Sequence, residues 1–130
     1  MQAVEMIEVE EEFIADEGNT ALIERALERE GRRILSRIHP EDLAVALSPD
    51  GDEMDSVRFA RWIEPSANPD QKRCCFVIGS SHGLGPLVYA RCQRRLSLGP
   101  MTFPHQLARV MLLEQLYRGQ MINRGSAYHK

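Results

Sequence analysis

No apolar run in this 130-residue chain approaches the roughly 18 residues a membrane-spanning helix requires, and no charged-then-apolar signal segment opens it. A cytoplasmic address is therefore expected, with no membrane partner. There is no C-x-x-C pair either: Cys74 and Cys75 are adjacent and Cys92 stands apart. That spacing suits neither a zinc nor a redox site, and the cysteines read as small buried residues in a reducing compartment. No two of the histidines, His39, His82, His105 and His129, share an i, i+4 spacing, so no metal site is expected. Neither G-x-G-x-x-G nor G-x-x-x-x-G-K occurs, which leaves nicotinamide and nucleoside-triphosphate sites unsupported. Internal repeats and low-complexity tracts are missing too, and residues 1–130 read as a single domain.

What is present is an ordinary globular composition, 43% hydrophobic and 27% charged, with a net charge of −3. The charge is unevenly placed. Residues 1–30 carry ten acids against Arg25 and Arg29, while residues 85–130 carry Glu114 alone against Arg91, Arg94, Arg95, Arg109, Arg118, Arg124 and Lys130. Such a molecule can present a basic face to phosphate despite its acidic total. A merely solvated polar surface is the competing explanation.

Residues 3–10 (AVEMIEVE) alternate imperfectly and predict a short strand running into an acidic turn. Asn19 or Thr20 then caps a helix whose Leu22, Ile23, Ala26, Leu27, Ile34, Leu35 and Ile38 recur at three- and four-residue spacing. Gly31 lies on that stripe and would permit close approach to a sheet; His39 and Pro40 end the helix. Residues 43–47 (LAVAL) are a continuous apolar run, as expected of a parallel strand covered on both faces, and residues 48–51 (SPDG) are turn chemistry. A second helix, capped near Asp55 or Ser56, uses Val57, Phe59, Ala60 and Ile63 and stops at Pro65. A polar loop over 65–73 leads to a second strand at 74–78 (CCFVI) with an exit turn at 79–83. Residues 87–95 predict a helix with Leu87, Val88 and Cys92 inward, and residues 96–98 a short strand. The last helix is expected to take Thr102 as its cap and Pro104 in its first turn, with Leu107, Val110, Met111, Leu113 and Leu116 inward. Glu114 and Arg118 can pair one turn apart on it.

This alternation predicts an α/β fold, an open and mainly parallel sheet with helices on both faces. Ligands of such sheets sit at the carboxyl ends of the strands, which gathers Leu47 and Ser48, residues 79–83 and residues 98–102 around one crevice. The residues alone leave its use open. Ile78-Gly79-Ser-Ser-His-Gly83 either admits a cofactor close to the backbone or is a plain strand-to-helix turn. Residues 98–103 either bind an adenine edge through free backbone groups or simply lead into the last helix. Tyr128, His129 and Lys130 combine a stacking ring, a titratable ring and a cation, the groups that single-stranded RNA recognition uses. A disordered tail is the alternative. His105, in the first turn of a helix, suits a structural hydrogen bond or a catalyst.

Several motifs narrow these choices. Phe76-Val-Ile-Gly79, Gly83-Leu84, Leu96-Ser-Leu98, Met101-Thr-Phe-Pro-His-Gln106, Arg109-Val110, Leu113-Glu-Gln-Leu-Tyr-Arg118 and Tyr128-His-Lys130 follow one another in an order and spacing that resembles the ribosomal RNA large-subunit methyltransferase H family, of the SPOUT class. The resemblance implies a C-terminal trefoil knot around S-adenosylmethionine and a homodimer acting on the assembled ribosome. It implies methylation of pseudouridine at N3 in bacterial 23S ribosomal RNA. By position, Leu47, Gly79, Leu98, Gly99, Pro100, Met101, Thr102 and Phe103 would hold the cofactor. Tyr128, His129 and Lys130 would meet the target base, in a site completed by the other subunit, with His129 or water taking the imide proton.

The chain departs from the family pattern at Ser48, where an aspartate is common, at Ser80, where a glycine is common, and at Gly99-Pro100, where a serine leads. Members ordinarily begin one strand and one helix earlier, and that strand lies inside the sheet, so residues 3–10 must here pair differently or hang loose. A weakened or inactive RNA- or ribosome-binding remnant is therefore the alternative function. A nucleotide-binding regulatory domain with a similar sheet is a third.

Overall fold

The apolar run at residues 43–47 becomes the middle of the sheet. In the computed structural model, which describes residues 3–64 and 73–130, helix α1 (Thr20–Leu35) leads to strand β1 (Leu43–Asp52), then α2 (Ser56–Ile63), β2 (Cys74–Val77), α3 (Pro86–Arg91), β3 (Arg94–Leu96) and α4 (His105–Asn123). The three strands run parallel in the order β2-β1-β3. Side chains alternate along β1. Leu43 and Val45 join Phe59 of α2, Leu96 of β3 and Leu112 of α4 in the main core, with Leu47 against its edge. Ala44 and Ala46, fully buried, turn to the other face, where α3 and α1 pack. Phe59, Trp62 and Phe76 form a tilted trio with ring centroids 6.0–6.3 Å apart on the α2 side.

Caps behave as the side chains dictate. Asn19 accepts from the amide of Leu22, and Asp55 from that of Arg58, opening α1 and α2 where expected. The helix α1 ends earlier than His39, with Ser36 as its C-cap. Gly31 does approach a neighbour closely, but the neighbour is α3: a Cβ there would lie 3.5 Å from Cγ2 of Val88. The predicted 65–73 loop lies outside the described residues except for Arg73.

Four expectations fail, each for a local reason. Residues 48–51 are not a free turn but a bulge within β1. Leu47 and Asp52 both pair with Leu96, and a Cβ on Gly51 would sit 2.7 Å from the Leu96 nitrogen, so the excursion needs a glycine there. The helix expected over 87–95 stops at Arg91, because Gln93 pairs like a strand residue. Its amide donates to the Ala44 carbonyl at 3.0 Å, and its Oε1 accepts the Ala44 amide at 2.9 Å. The third strand consequently spans Arg94–Leu96, not 96–98. Finally, Pro104, not Thr102, occupies the cap position of α4, and the inward stripe of that helix is misassigned. Leu112 and Gly119 are buried and Leu116 packs on the core, whereas Leu107 and Val110 are exposed. Gly119 lets α4 lie tight on α2, where a Cβ would come 2.8 Å from Cδ1 of Ile63.

The N-terminal strand does not form either. Residues 3–13 belong to no strand. They are tied back through the Glu12 amide to Glu30 (2.8 Å), through Glu12 to Arg29 and Arg33, and through Glu8 to Arg109 of α4 (2.6 Å). Between this segment and β2 lies a cleft of about 1070 Å³, floored and roofed by residues of α1 and α4. Among the described strands β2 pairs only with β1, so its outer edge faces that cleft. Of the two arrangements expected for this segment, the unpaired one is found. Of these ties Glu8–Arg109 joins the acidic N-terminal stretch to the basic C-terminal one, while the Glu12 pairs stay within the first 33 residues.

Asp42, at the start of the central strand, is 2% exposed and fully satisfied. Arg73 reaches its two oxygens at 2.7 and 3.1 Å and the His39 amide donates at 2.9 Å. Burial raises this carboxyl, but the Arg73 and His39 hydrogen bonds and their charges together outweigh it and hold it below the usual carboxylate range. A depressed folded value stabilises the native state above the unfolded pKa of about 3.9, and that contribution is lost as pH falls through the lowered value. Asp42→Ala is expected to cost about 2 kcal/mol at neutral pH, the lower end for a broken buried pair because Arg73 is half in water. Thermal melts are expected to show a loss of roughly 6–10 °C that shrinks on acidification below pH ~4.

The cysteines are free. Cys74 is exposed, and Cys75 and Cys92 are half-buried, so the expectation that they are core residues is corrected. Burial, with the Asp42 charge, pushes the Cys75 thiol up, away from the thiolate form. Among the described residues no helix is long and apolar enough to cross a membrane, and no group of three or more metal-ligating side chains occurs.

Candidate functional site

Parallel pairing brings the carboxyl ends of all three strands to one side of the sheet. Ala46 is level with Val77 and Leu47 with Leu96, so Leu47 lies between the exits of β2 and β3. Two residues beyond β2, Gly79 begins a tight loop. A Cβ at Gly79 would lie 2.5 Å from the carbonyl carbon of Gly83, whose own φ of +79° favours glycine. The Gly83 amide donates to the Ser80 carbonyl at 2.9 Å and closes the loop. Ser80 is used: its hydroxyl reaches the buried Glu30 of α1 at 3.1 Å and anchors the loop from outside. His82 sits at the loop's rim, 4.0 Å from Glu17.

After β3 the chain enters the stretch Leu98, Gly99, Pro100, Met101, Thr102, Phe103. Gly99 has φ of +114° and open space where a side chain would stand. Its amide donates to Oγ of buried Ser97 at 3.0 Å, and that hydroxyl also reaches the Pro49 carbonyl of the β1 bulge at 3.2 Å. The loop is thereby pinned to the end of β1. Among the described residues no backbone–backbone hydrogen bond engages Leu98, Met101, Thr102 or Phe103. Their backbone is flanked by the half-buried Leu98 and Phe103 and by Met101, which is 72% exposed. Free backbone groups between apolar side chains fit a purine edge and its faces, so these residues suit a nucleoside cofactor.

A network that sequence reasoning missed borders this crevice. Ser48 donates to Asp50, Tyr89 donates to Ser48 at 3.1 Å, and Arg95 pairs with Asp50 at 2.9 Å while lying 4.1 Å above the Tyr89 ring. The Ser48 hydrogen bond, ahead of Arg95 and against partial burial, holds the Asp50 carboxyl low. A carboxylate therefore stands at this strand end although Ser48 replaces the expected aspartate. Its signal, Asp50 in the SPDG string, reads as turn chemistry from sequence alone.

Tyr128 and His129 do not meet these residues within the chain. The tail turns back at Gly125 (φ +72°) onto α4. There Tyr128 packs edge-on against Tyr117, with centroids 4.9 Å apart, and its hydroxyl lies 3.3 Å from Glu114. His129 Nδ1 lies 3.1 Å from Arg118. Lys130 is exposed. Glu114 and Arg118 form the expected ion pair at 2.7 Å. The Arg118 hydrogen bond, against partial burial and with help from Tyr128 and His129, holds the Glu114 carboxyl below its usual range. His105 is the exposed first residue of α4, its Nε2 3.4 Å from the side-chain nitrogen of Gln106. Of the seven bases after residue 85, Arg95, Arg109 and Arg118 are paired with acids, Arg94 lies over Trp62, and Arg91 donates to the His39 and Asp42 carbonyls. Arg124 and Lys130 make no ion pair among the described residues.

A crevice at the carboxyl ends of parallel strands, with a glycine loop and an open backbone stretch on its rim, is where open α/β sheets place their ligands. A family described as "Predicted SPOUT methyltransferase" matches residues 1–129. The chain is 43% identical over 127 residues to a ribosomal RNA large subunit methyltransferase H of Gemmatimonas aurantiaca, covering 98% of this chain and 79% of that one. It is 44% identical over 130 residues to the protein of that name from Lactococcus lactis subsp. lactis, covering 100% and 82%. With that of Nitratidesulfovibrio vulgaris strain DP4 it shares 44% over 119 residues, covering 91% and 76%. The chain belongs to the SPOUT methyltransferases and, within them, to the ribosomal RNA large subunit methyltransferase H family.

Proposed function

We propose that this chain is an S-adenosylmethionine-dependent methyltransferase acting on bacterial 23S ribosomal RNA, with N3 of a pseudouridine as the methyl acceptor. It works in the cytoplasm, on the assembled ribosome, as a homodimer of single-domain chains spanning residues 1–130. The C-terminal segment is threaded as a trefoil knot beside the cofactor. The observation that carries this reading is the loop from Leu98 to Phe103: backbone groups that make no backbone–backbone bond among the described residues, Gly99 apart, apolar side chains around them, and a glycine opening the space between, all pinned to the end of β1 through Ser97.

When bound, S-adenosylmethionine supplies a methyl group already activated on a sulfonium. The protein's own task is alignment. Leu98, Met101 and Phe103 would hold the adenine with the loop backbone, and Leu47 and Gly79 would bound the pocket on the β1 and β2 sides. Tyr128 offers a ring for stacking on a splayed base and Lys130 a charge for phosphate. Because the contacts of Tyr128 and His129 within one chain are to Glu114, Tyr117 and Arg118 of α4, these residues serve the cofactor site of the second subunit. The homodimer is supported by α4 itself, where Leu107, Val110 and Tyr117 form an exposed apolar stripe (46%, 61% and 43%) along one face.

The remnant reading keeps one observation in its favour, the open cleft beside the unpaired edge of β2. Calorimetric titration with S-adenosylmethionine, followed by transfer of labelled methyl to ribosomes and to free ribosomal RNA, separates the two. Saturable binding with transfer to ribosomes is the expected result. Absence of binding establishes the remnant, and binding with no transfer to either RNA form rejects the proposed substrate.

A further inference from the structure

His129 touches one cation, and that cation has nothing to accept with. Nη1 of Arg118 lies 3.1 Å from Nδ1 of His129. A guanidinium carries five N–H donors and no acceptor, so the contact requires the lone pair on Nδ1 and leaves the ring proton on Nε2. The guanidinium is itself held. Its Nε and Nη2 both reach Oε1 of Glu114, at 2.9 and 2.7 Å, and its Cζ lies 4.9 Å from the centre of the Tyr128 ring. Tyr128 donates to the same Glu114 oxygen. The other oxygen accepts from Gln115 at 3.0 Å, and Gln115 in turn accepts from Ser56 of α2 at 2.7 Å. The ring of His129 is thus oriented through a chain of contacts that ends in the body of the fold.

We propose that Arg118 and Glu114 are positioning residues that present His129 to the substrate as an Nε2–H hydrogen-bond donor, not as the base that takes its proton. The inference rests on the reading of the tail as the element that meets the nucleobase, and it decides a choice that the sequence leaves open. In methylation of an imide nitrogen, the N–H bond breaks and its proton passes to water. The nitrogen electron pair forms the new N–C bond, and the C–S bond breaks with its pair remaining on sulfur. Negative charge developing on the imide is shared with the flanking carbonyl oxygens. A fixed N–H aimed at one of them stabilises that charge without changing protonation.

The test uses the full-length chain labelled with ¹⁵N-histidine, with the His129 signals assigned by comparison with His129→Gln. Long-range ¹H–¹⁵N correlation is expected to show a bare Nδ1 and a protonated Nε2. Arg118→Leu, or Glu114→Gln if the first variant folds poorly, is expected to give a mixture of tautomers. In the transfer assay Arg118→Leu is expected to lower kcat about 10²-fold with KM for S-adenosylmethionine unchanged. His129→Gln, which keeps an N–H near the same place but cannot act as a base, is expected to be roughly tenfold more active than His129→Ala. A proton on Nδ1 in the unmodified chain overturns the proposal, as does a tautomer indifferent to Arg118 and Glu114, or a His129→Gln variant as inactive as the alanine. If the unmodified chain shows the expected tautomer yet transfers no methyl group to any RNA, the functional reading fails and the control of the ring by Arg118 stands.

Discussion

Deletion of Tyr128, His129 and Lys130 is expected to reduce methyl transfer at least ~10³-fold while S-adenosylmethionine binds with unchanged affinity. The reason is the separation seen within one chain. The contacts of Tyr128 and His129 are to Glu114, Tyr117 and Arg118 of α4, and none is to Leu47, Gly79 or the loop from Leu98 to Phe103. Removing the tail leaves the Glu114–Arg118 pair intact and uncovers no core residue, so stability is expected to change by less than about 1 kcal/mol. Tyr128→Ala is expected to show the same division in milder form. Titration calorimetry and a transfer assay on the same preparation make the comparison. Equal loss of binding and transfer would mean that the tail shapes the cofactor pocket itself, and the division of labour would be abandoned.

How much of this was legible in the chain depends on the range of the interaction concerned. The caps Asn19 and Asp55 were readable because a side-chain oxygen and an amide two or three residues on decide them. The parallel core was readable because residues 43–47 and 74–78 are apolar without alternation, and the crevice at their exits followed from topology alone. What failed was set by partners far along the chain. The helix stops short of Gln93 because Ala44, forty-nine positions away in sequence, bonds its amide and its side chain and leads the chain into β3. The bulge at residues 48–51 exists because β3 ends at Leu96, and the SPDG string alone looks like any exposed turn.

The N-terminal failure has the same character. A strand needs a neighbour within about 5 Å, and residues 3–10 face β2 across a cleft of about 1070 Å³. Composition could not reveal that gap. Nor could it show that Glu12 reaches Arg29 and Arg33, or that Glu8 reaches Arg109 across the molecule. Of the candidate site, the glycine-containing loop from Leu98 to Phe103 and the tail stand out by residue type, whereas the Arg118–His129 contact and the Ser48–Asp50–Tyr89 network required the fold.

The misassigned stripe of α4 leads to the second large effect. Apolar residues at three- and four-residue spacing mark a covered face, but the spacing does not say what covers it. In α4 there are two such faces. One, through Leu112, Leu116 and Gly119, packs on α2 and the sheet; the other, through Leu107, Val110 and Tyr117, meets no core of its own chain. Val110→Asp is therefore expected to leave the monomer folded, with an unchanged circular dichroism spectrum and a melting temperature altered only by the lost association. Placing an unpaired carboxylate in the middle of an apolar interface costs several kcal/mol, enough to shift a dimer to monomer at micromolar concentration. Sedimentation equilibrium is expected to show that shift. Since the tail of one subunit completes the site of the other in the proposed arrangement, transfer is expected to fall with the dimer fraction, by about 10²-fold or more, while each monomer keeps its loop and its affinity for the cofactor. A Val110→Asp protein that sediments as a monomer and still methylates ribosomes at the original rate would show that one chain holds a whole active site, and the trans arrangement of Tyr128 and His129 would have to be given up.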